Sequence, residues 1–163
     1  MSLEKLKYAL DNWYTLLPLD PLFPMEYGKL DVNNKTVIDV GAYNGDTANF
    51  FLKRGARKII AYEIEEKRQT QISTRFKKHQ VQVKGAWNGE LFPEADVLKM
   101  DIEGAEKILT KKHLENFEQF SIALHPDKLG YTKLREMSGM LKQLGARLAV
   151  FEGLELIYAK YLK

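Results

Sequence analysis

Cysteine is missing from all 163 residues, which excludes disulfides, thiolate metal sites and a cysteine nucleophile and leaves the redox compartment open. No run approaches the roughly 18 apolar residues of a membrane span. The opening MSLEKLKYAL carries charges where a secretory signal needs an apolar core, so a cytoplasmic location is expected. A large excess of one charge is lacking too. Lys and Arg number 25 against 22 Asp and Glu, and a formal +3 is too small to mark a nucleic-acid binder by itself. Neither an internal repeat nor a low-complexity tract breaks the chain, and its length predicts one domain over residues 1–163.

What is present has a clear order. Leu3, Leu6, Leu10, Trp13 and Leu17 recur at helical spacing and predict a helix over 2–15. Pro18, Pro21 and Pro24 then forbid regular pairing, so residues 1–35 read as a helix and a proline-rich strap packed over the domain, with a functional lid as the alternative. From Thr36 the pattern alternates. TVIDV, KIIAYEI, VQVKGA, DVLKMDI and SIALH read as strands; DTANFFLKR, EEKRQTQISTRFKK, GAEKILTKKHLENF and YTKLREMSGMLKQLG read as helices. RLAVFE and LELIYAKYL close the chain around Gly153 with no room for a helix between them. The expectation is a three-layer α/β sandwich, its sheet mostly parallel with an antiparallel C-terminal edge hairpin. Ligands of such sheets bind beyond the strand carboxyl ends where the winding reverses.

At the first such end, Gly41 and Gly45 bracket Ala42, Tyr43 and Asn44 in VIDVGAYNGD. A glycine lets the backbone pass close to a ligand, and the helix after Gly45 offers N–H groups to a carboxylate or phosphate. A tight turn capped by Asp46 or Asn44 is the plainer alternative. The next strand ends at Glu63, 22 residues beyond Gly41, a spacing that suits an acid accepting both hydroxyls of a ribose. Glu63 could instead be a surface acid in the run EIEE. The turn has no glycine at 43 for a dinucleotide fingerprint, and no G-K-[ST] follows for a P-loop. S-adenosylmethionine fits better, with its carboxylate near the turn, its ribose on Glu63 and its adenine between Ile64 and Ala86–Trp87.

LKMDIEGAEKIL holds the other unusual residues. Lys99 falls mid-strand, where a charge needs a partner, and aligning the strand ends at Gly41 and Asp101 sets it level with Asp39. An Asp39–Lys99 contact is expected; the alternative is a lysine snorkelling from an edge strand. Asp101 can hold an ammonium, position a substrate or cap the next helix. A cation shared by Asp101, Glu103 and Glu106 is the weaker reading, and no metal site is expected.

Together VIDVGAYNGD, IIAYEI, VKGAWNGELF and LKMDIEGAE resemble, in order from about residue 36 to 125, the FkbM-type family of S-adenosylmethionine-dependent methyltransferases. The resemblance implies a class I (Rossmann-like) methyltransferase fold and methyl transfer to a hydroxyl of a sugar or other small metabolite. By position, Asp39, Gly41, Gly45, Glu63 and Asp101 match the family's cofactor motifs. Two departures stand out: the segment from Trp87 to Asp96 is short, and Ala123 replaces a glutamate the family often has two residues before His125. Asp101 and His125, both at strand ends, are the candidate general bases; His125 could equally be structural, fixed by Pro126 and Asp127. The rival readings are an RNA methyltransferase using KRGARK and KRQTQISTRFKK, and a donor-binding domain without catalysis. The sequence names neither the acceptor nor the oligomeric state.

Overall fold

The structure, a computed structural model, describes residues 27–150 and 157–162; the expected helix at 2–15, the prolines at 18–24 and the turn at Gly153 lie outside the described residues. Seven strands form one sheet: β1 (Thr36–Val40), β2 (Lys58–Tyr62), β3 (Val81–Lys84), β4 (Val97–Met100), β5 (Gln119–Leu124), β6 (Arg147–Val150) and β7 (Ile157–Leu162). Their order is β3-β2-β1-β4-β5-β7-β6. The first five pair in parallel, and β7 runs antiparallel to both β5 and β6. The expected edge hairpin is there, its second strand lying inside its first. Winding proceeds outward from β1 to β3 and then returns to β4 on β1's other side. The reversal therefore falls between β1 and β4, where Gly41 and Asp101 emerge.

Period-two alternation sorts the strand residues onto two cores. Val37, Ile59, Val97 and Ala123 face α1 (Asp46–Lys53) and α2 (Glu66–Arg75), packing with Phe51 and Ile72. Ile38, Leu98, Met100 and Ile122 face the other way, onto α3 (Lys111–Leu114) and α4 (Pro126–Gln143), with Leu114 and Leu141. Each fully buried side chain of this size stabilises the fold by roughly 1.5–3 kcal/mol. Both faces are covered, as a parallel sheet requires. No described helix is long and apolar enough to cross a membrane.

Two local expectations are corrected. The stretch after Asp101 is not one helix: a 3-10 turn over Ala105–Ile108 stops at Leu109, and α3 starts afresh. Thr110 caps α3 reciprocally with His113, whose ring accepts from the Thr110 N–H at 3.0 Å. That box favours a helix start at 111 over continuation. The helix expected from Tyr131 begins instead at Pro126, whose fixed φ suits a first turn, and is interrupted at Gly130 (φ 69°, ψ 163°). Residues 85–96 cross from β3 to β4 without a helix. Trp87 and Phe92 stack there at 5.0 Å between ring centroids and cover that part of the sheet.

Gly41 has a reason the sequence did not show. At φ +78°, a Cβ on this residue would lie 1.8 Å from the Asp101 carbonyl oxygen. The close approach is to the chain's own backbone at the end of β4, so the glycine lets the two central strand ends come together. Gly41→Ala should lower the stability to urea unfolding by about 3 kcal/mol or more. An unchanged midpoint would contradict this packing.

Candidate functional site

Asp39 and Lys99 are register partners on β1 and β4, both with buried side chains. Lys99 Nζ lies 2.9 Å from Asp39 Oδ1, off the hydrogen-bonding direction, and donates to the Gly41 carbonyl at 2.7 Å. Asp39 Oδ2 accepts from the Thr47 hydroxyl at 2.5 Å. One ion pair thus ties β4 to β1, to the first residue of the glycine turn and to α1. The expected contact is present, and Lys99 is no edge residue.

The turn itself is held by Glu63. The Tyr43 N–H donates to Glu63 Oε2 at 2.7 Å and the Glu65 N–H to Oε1 at 2.9 Å. Each oxygen keeps a second lone-pair direction. Tyr43 adopts φ +52°, with the Arg68 guanidinium over its ring at 3.7 Å. Arg68 also pairs with Glu65 at 3.0 Å.

A cavity of about 550 Å³ opens beyond the ends of β1, β2 and β4. Of the residues singled out from sequence, Gly41, Tyr43, Glu63, Ile64, Ala86, Trp87 and Asp101 line it. Asp39, Ala42, Asn44, Gly45 and His125 do not. Asp39 is consumed by Lys99 and Thr47, and Ala42 is buried in the α1-side core. Asn44 Oδ1 instead accepts from the Asp46 N–H at 3.2 Å, while Asp46 pairs with Arg75 at 2.6 Å. Asn44 thus takes one N–H at the start of α1, as in the tight-turn alternative. Arg68, Glu65, Ile102 and Glu103 line the cavity without having been singled out as donor-site residues. The lining carries four carboxylates (Glu63, Glu65, Asp101 and Glu103) against Arg68 alone among the described residues, a field that favours a cationic ligand.

Behind Asp101 stands His125, buried at the start of α4. Its Nε2 lies 3.3 Å from Asp101 Oδ1 and its Nδ1 3.0 Å from Glu106 Oε1. Burial works against the charged ring, but the hydrogen bonds to Asp101 and Glu106 and their charges outweigh it and raise the His125 pKa to about 9. For Asp101 the order is the same: burial opposes ionisation, and the bond from His125 with the Lys99 charge holds its pKa below the ordinary value. Glu106 is wholly buried, its Oε2 accepting from the Gly104 N–H at 2.6 Å. Those bonds occupy the carboxylate that the cation reading needed. No acidic or histidine cluster able to hold a metal occurs among the described residues.

No family model matches the chain. Uncharacterized protein 158B of Sulfolobus islandicus rod-shaped virus 1 is 40% identical over 109 residues, covering 63% of this chain and 68% of that protein. Uncharacterized protein 65 of Sulfolobus islandicus filamentous virus (isolate Iceland/Hveragerdi) is 37% identical over 124 residues, covering 73% of this chain and 78% of that one. The chain belongs to the family of these two viral proteins. Among solved structures, the candidate RNA methyltransferase PH1948 of Pyrococcus horikoshii superposes with a TM-score of 0.61 at 18% identity, over 85% of this chain and 79% of that one. A SAM-dependent methyltransferase of Aquifex aeolicus gives 0.57 at 18% identity, with 98% of each chain covered. The fold is that of a class I methyltransferase.

Two outcomes test this geometry. Lys99→Met leaves a buried carboxylate unpaired and should cost about 3 to 5 kcal/mol in chemical denaturation. Adding Asp39→Asn should recover part of that loss; a single variant as stable as the wild type would show that the pair holds nothing. For His125 the raised pKa means a contribution fully present below pH 6.5 and lost as pH rises towards about 9. Stability should decline across that window by roughly 1 to 2 kcal/mol after allowing for solvent screening, with the decline absent in His125→Gln. A flat wild-type profile would contradict the clamp.

Proposed function

We propose that the protein is a methyltransferase using S-adenosylmethionine. The observation that carries this reading is the Glu63 carboxylate at the tip of β2, facing a cavity at the switch point with two lone-pair directions to spare. The residues present fit the donor. Glu63 would accept the ribose hydroxyls, and exposed Ile64 with Ala86, both in the cavity lining, would cover the adenine. Asp101, beside the Gly41 backbone, would take the ammonium. The excess of carboxylates suits a sulfonium cation, which supplies an already activated methyl group.

The protein's own part is then to align an acceptor oxygen, exclude water and accommodate a proton. We take the acceptor to be a hydroxyl on a sugar or other small metabolite, as the likeness of LKMDIEGAE to FkbM-type enzymes suggests. The fold of an RNA methyltransferase candidate is similar, but the arginines of the two basic stretches are engaged within this chain. Arg54 bonds the Gly28 carbonyl at 2.8 Å, Arg57 the Thr36 hydroxyl at 3.0 Å, Arg68 pairs with Glu65, and Arg75 pairs with Asp46. Glu65, Asp101 and Glu103 in the cavity wall would repel a phosphate backbone. Those observations favour the small acceptor.

Calorimetry with S-adenosylmethionine and S-adenosylhomocysteine tests the donor, and a label-transfer screen over hydroxylated metabolites tests catalysis. Both ligands should bind, and Glu63→Gln should weaken them about tenfold or more, since the loss falls on two hydrogen bonds to a charged group. Absence of binding by the wild type would overturn the proposal, while binding without any turnover would leave a donor-binding domain.

A further inference from the structure

We propose that His125 is a positioning residue: its imidazolium, clamped by Glu106, fixes the Asp101 carboxylate in the cavity wall and keeps both its protons through the reaction. The inference rests on the cavity being the methyl-donor site, and it replaces the expectation of His125 as a general base.

A base needs a lone pair within reach of the acceptor. His125 has none to offer. Its Nδ1 hydrogen-bonds Glu106 Oε1 at 3.0 Å and its Nε2 lies 3.3 Å from Asp101 Oδ1, so each ring nitrogen has a carboxylate at ion-pair distance. The ring is buried and does not line the cavity. Glu106 Oε1 also accepts the His125 backbone N–H at 2.9 Å, and its Oε2 accepts that of Gly104. One buried carboxylate therefore fixes the ring's position, its protonation and the loop after β4 together. Asp101 receives the consequence. With Oδ1 committed to the ring, Oδ2 has no partner among the described residues, and Asp101 lines the cavity.

The charged groups around the ring support the same assignment. Asp101 reaches it from β4 and Glu106 from the 3-10 turn, while Lys99, further back on β4, acts on Asp101. On α4, Asp127 and Lys128 pair with each other at 3.0 Å on the exposed side. Two carboxylates against one ring keep the proton on it, in line with a pKa of about 9. A doubly protonated ring also keeps Asp101 an anion, able to hold an ammonium and ill suited to remove a proton.

The test combines ring NMR with donor affinity in the wild type, Glu106→Gln and His125→Gln, each checked for cooperative thermal unfolding. In wild-type protein without ligand the His125 ring should titrate near 9, and in Glu106→Gln it should move towards the ordinary 6.5. With S-adenosylhomocysteine as the probe at pH 8, Glu106→Gln should bind roughly tenfold more weakly than wild type. Near pH 5.5, where its ring is charged again, its affinity should return to within about twofold of wild type. His125→Gln should be weakened at both pH values. The probe's own amino group titrates too, so variants are compared at equal pH. A wild-type ring titrating near 6.5, or folded Glu106→Gln binding as wild type does at pH 8, would overturn the positioning role. Failure of wild-type protein to bind the probe at any pH would bring down the donor reading and this inference with it, a result distinct from those two.

Discussion

A lysine ammonium in the middle of a parallel sheet, covered on both faces, has to be neutralised where it stands. Lys99 meets Asp39 across one strand pairing and the Gly41 carbonyl at its end. Burying such a pair brings little net stability, because desolvation consumes most of the Coulombic gain. What it brings is register and orientation. Asp39 reaches Thr47 on α1, so the strand that begins the turn, the helix that ends it and the strand beside it share one charge. The glycine turn can then pass so close to Asp101 that no side chain fits between.

The cavity-facing groups are placed by a second set of contacts that work outward from this centre. Glu63 holds the turn by the Tyr43 N–H while facing the cavity, and Glu106 holds His125 while His125 holds Asp101. Charged groups committed to backbone N–H bonds lose little freedom on ligand binding, which lowers the cost of association. The resulting wall is acidic around one arginine, and that electrostatic bias sets a preference for cationic ligands before any specific contact forms.

Much of this was readable along the chain, for local reasons. Alternating periods of two and of about 3.6 residues marked the sheet and most helices, and the reversal point follows from the order of parallel crossovers. Asp39 and Lys99 could be paired because each lies a fixed step before its strand end. Other features depend on contacts between segments that no spacing reveals. Glu106 and His125 sit 19 positions apart on separate elements, and their bond appears only once β4 and β5 are side by side. Where FkbM-type proteins often have a glutamate, two residues before the histidine, this chain has Ala123, buried in the opposite core, while the acid that reaches the ring comes from the turn after β4. The break at Thr110 was hidden because helix propensity reads continuously through LTKKHL, whereas the cap that interrupts it is a side-chain hydrogen bond.

The most direct test of the account is a crystal structure with S-adenosylhomocysteine. The expected density places both ribose hydroxyls within hydrogen-bonding distance of Glu63, the adenine against Ile64 and Ala86, and the amino group between the Gly41 backbone and Asp101. An unfilled cavity at saturating ligand, or the nucleoside lodged elsewhere on the fold, would contradict it.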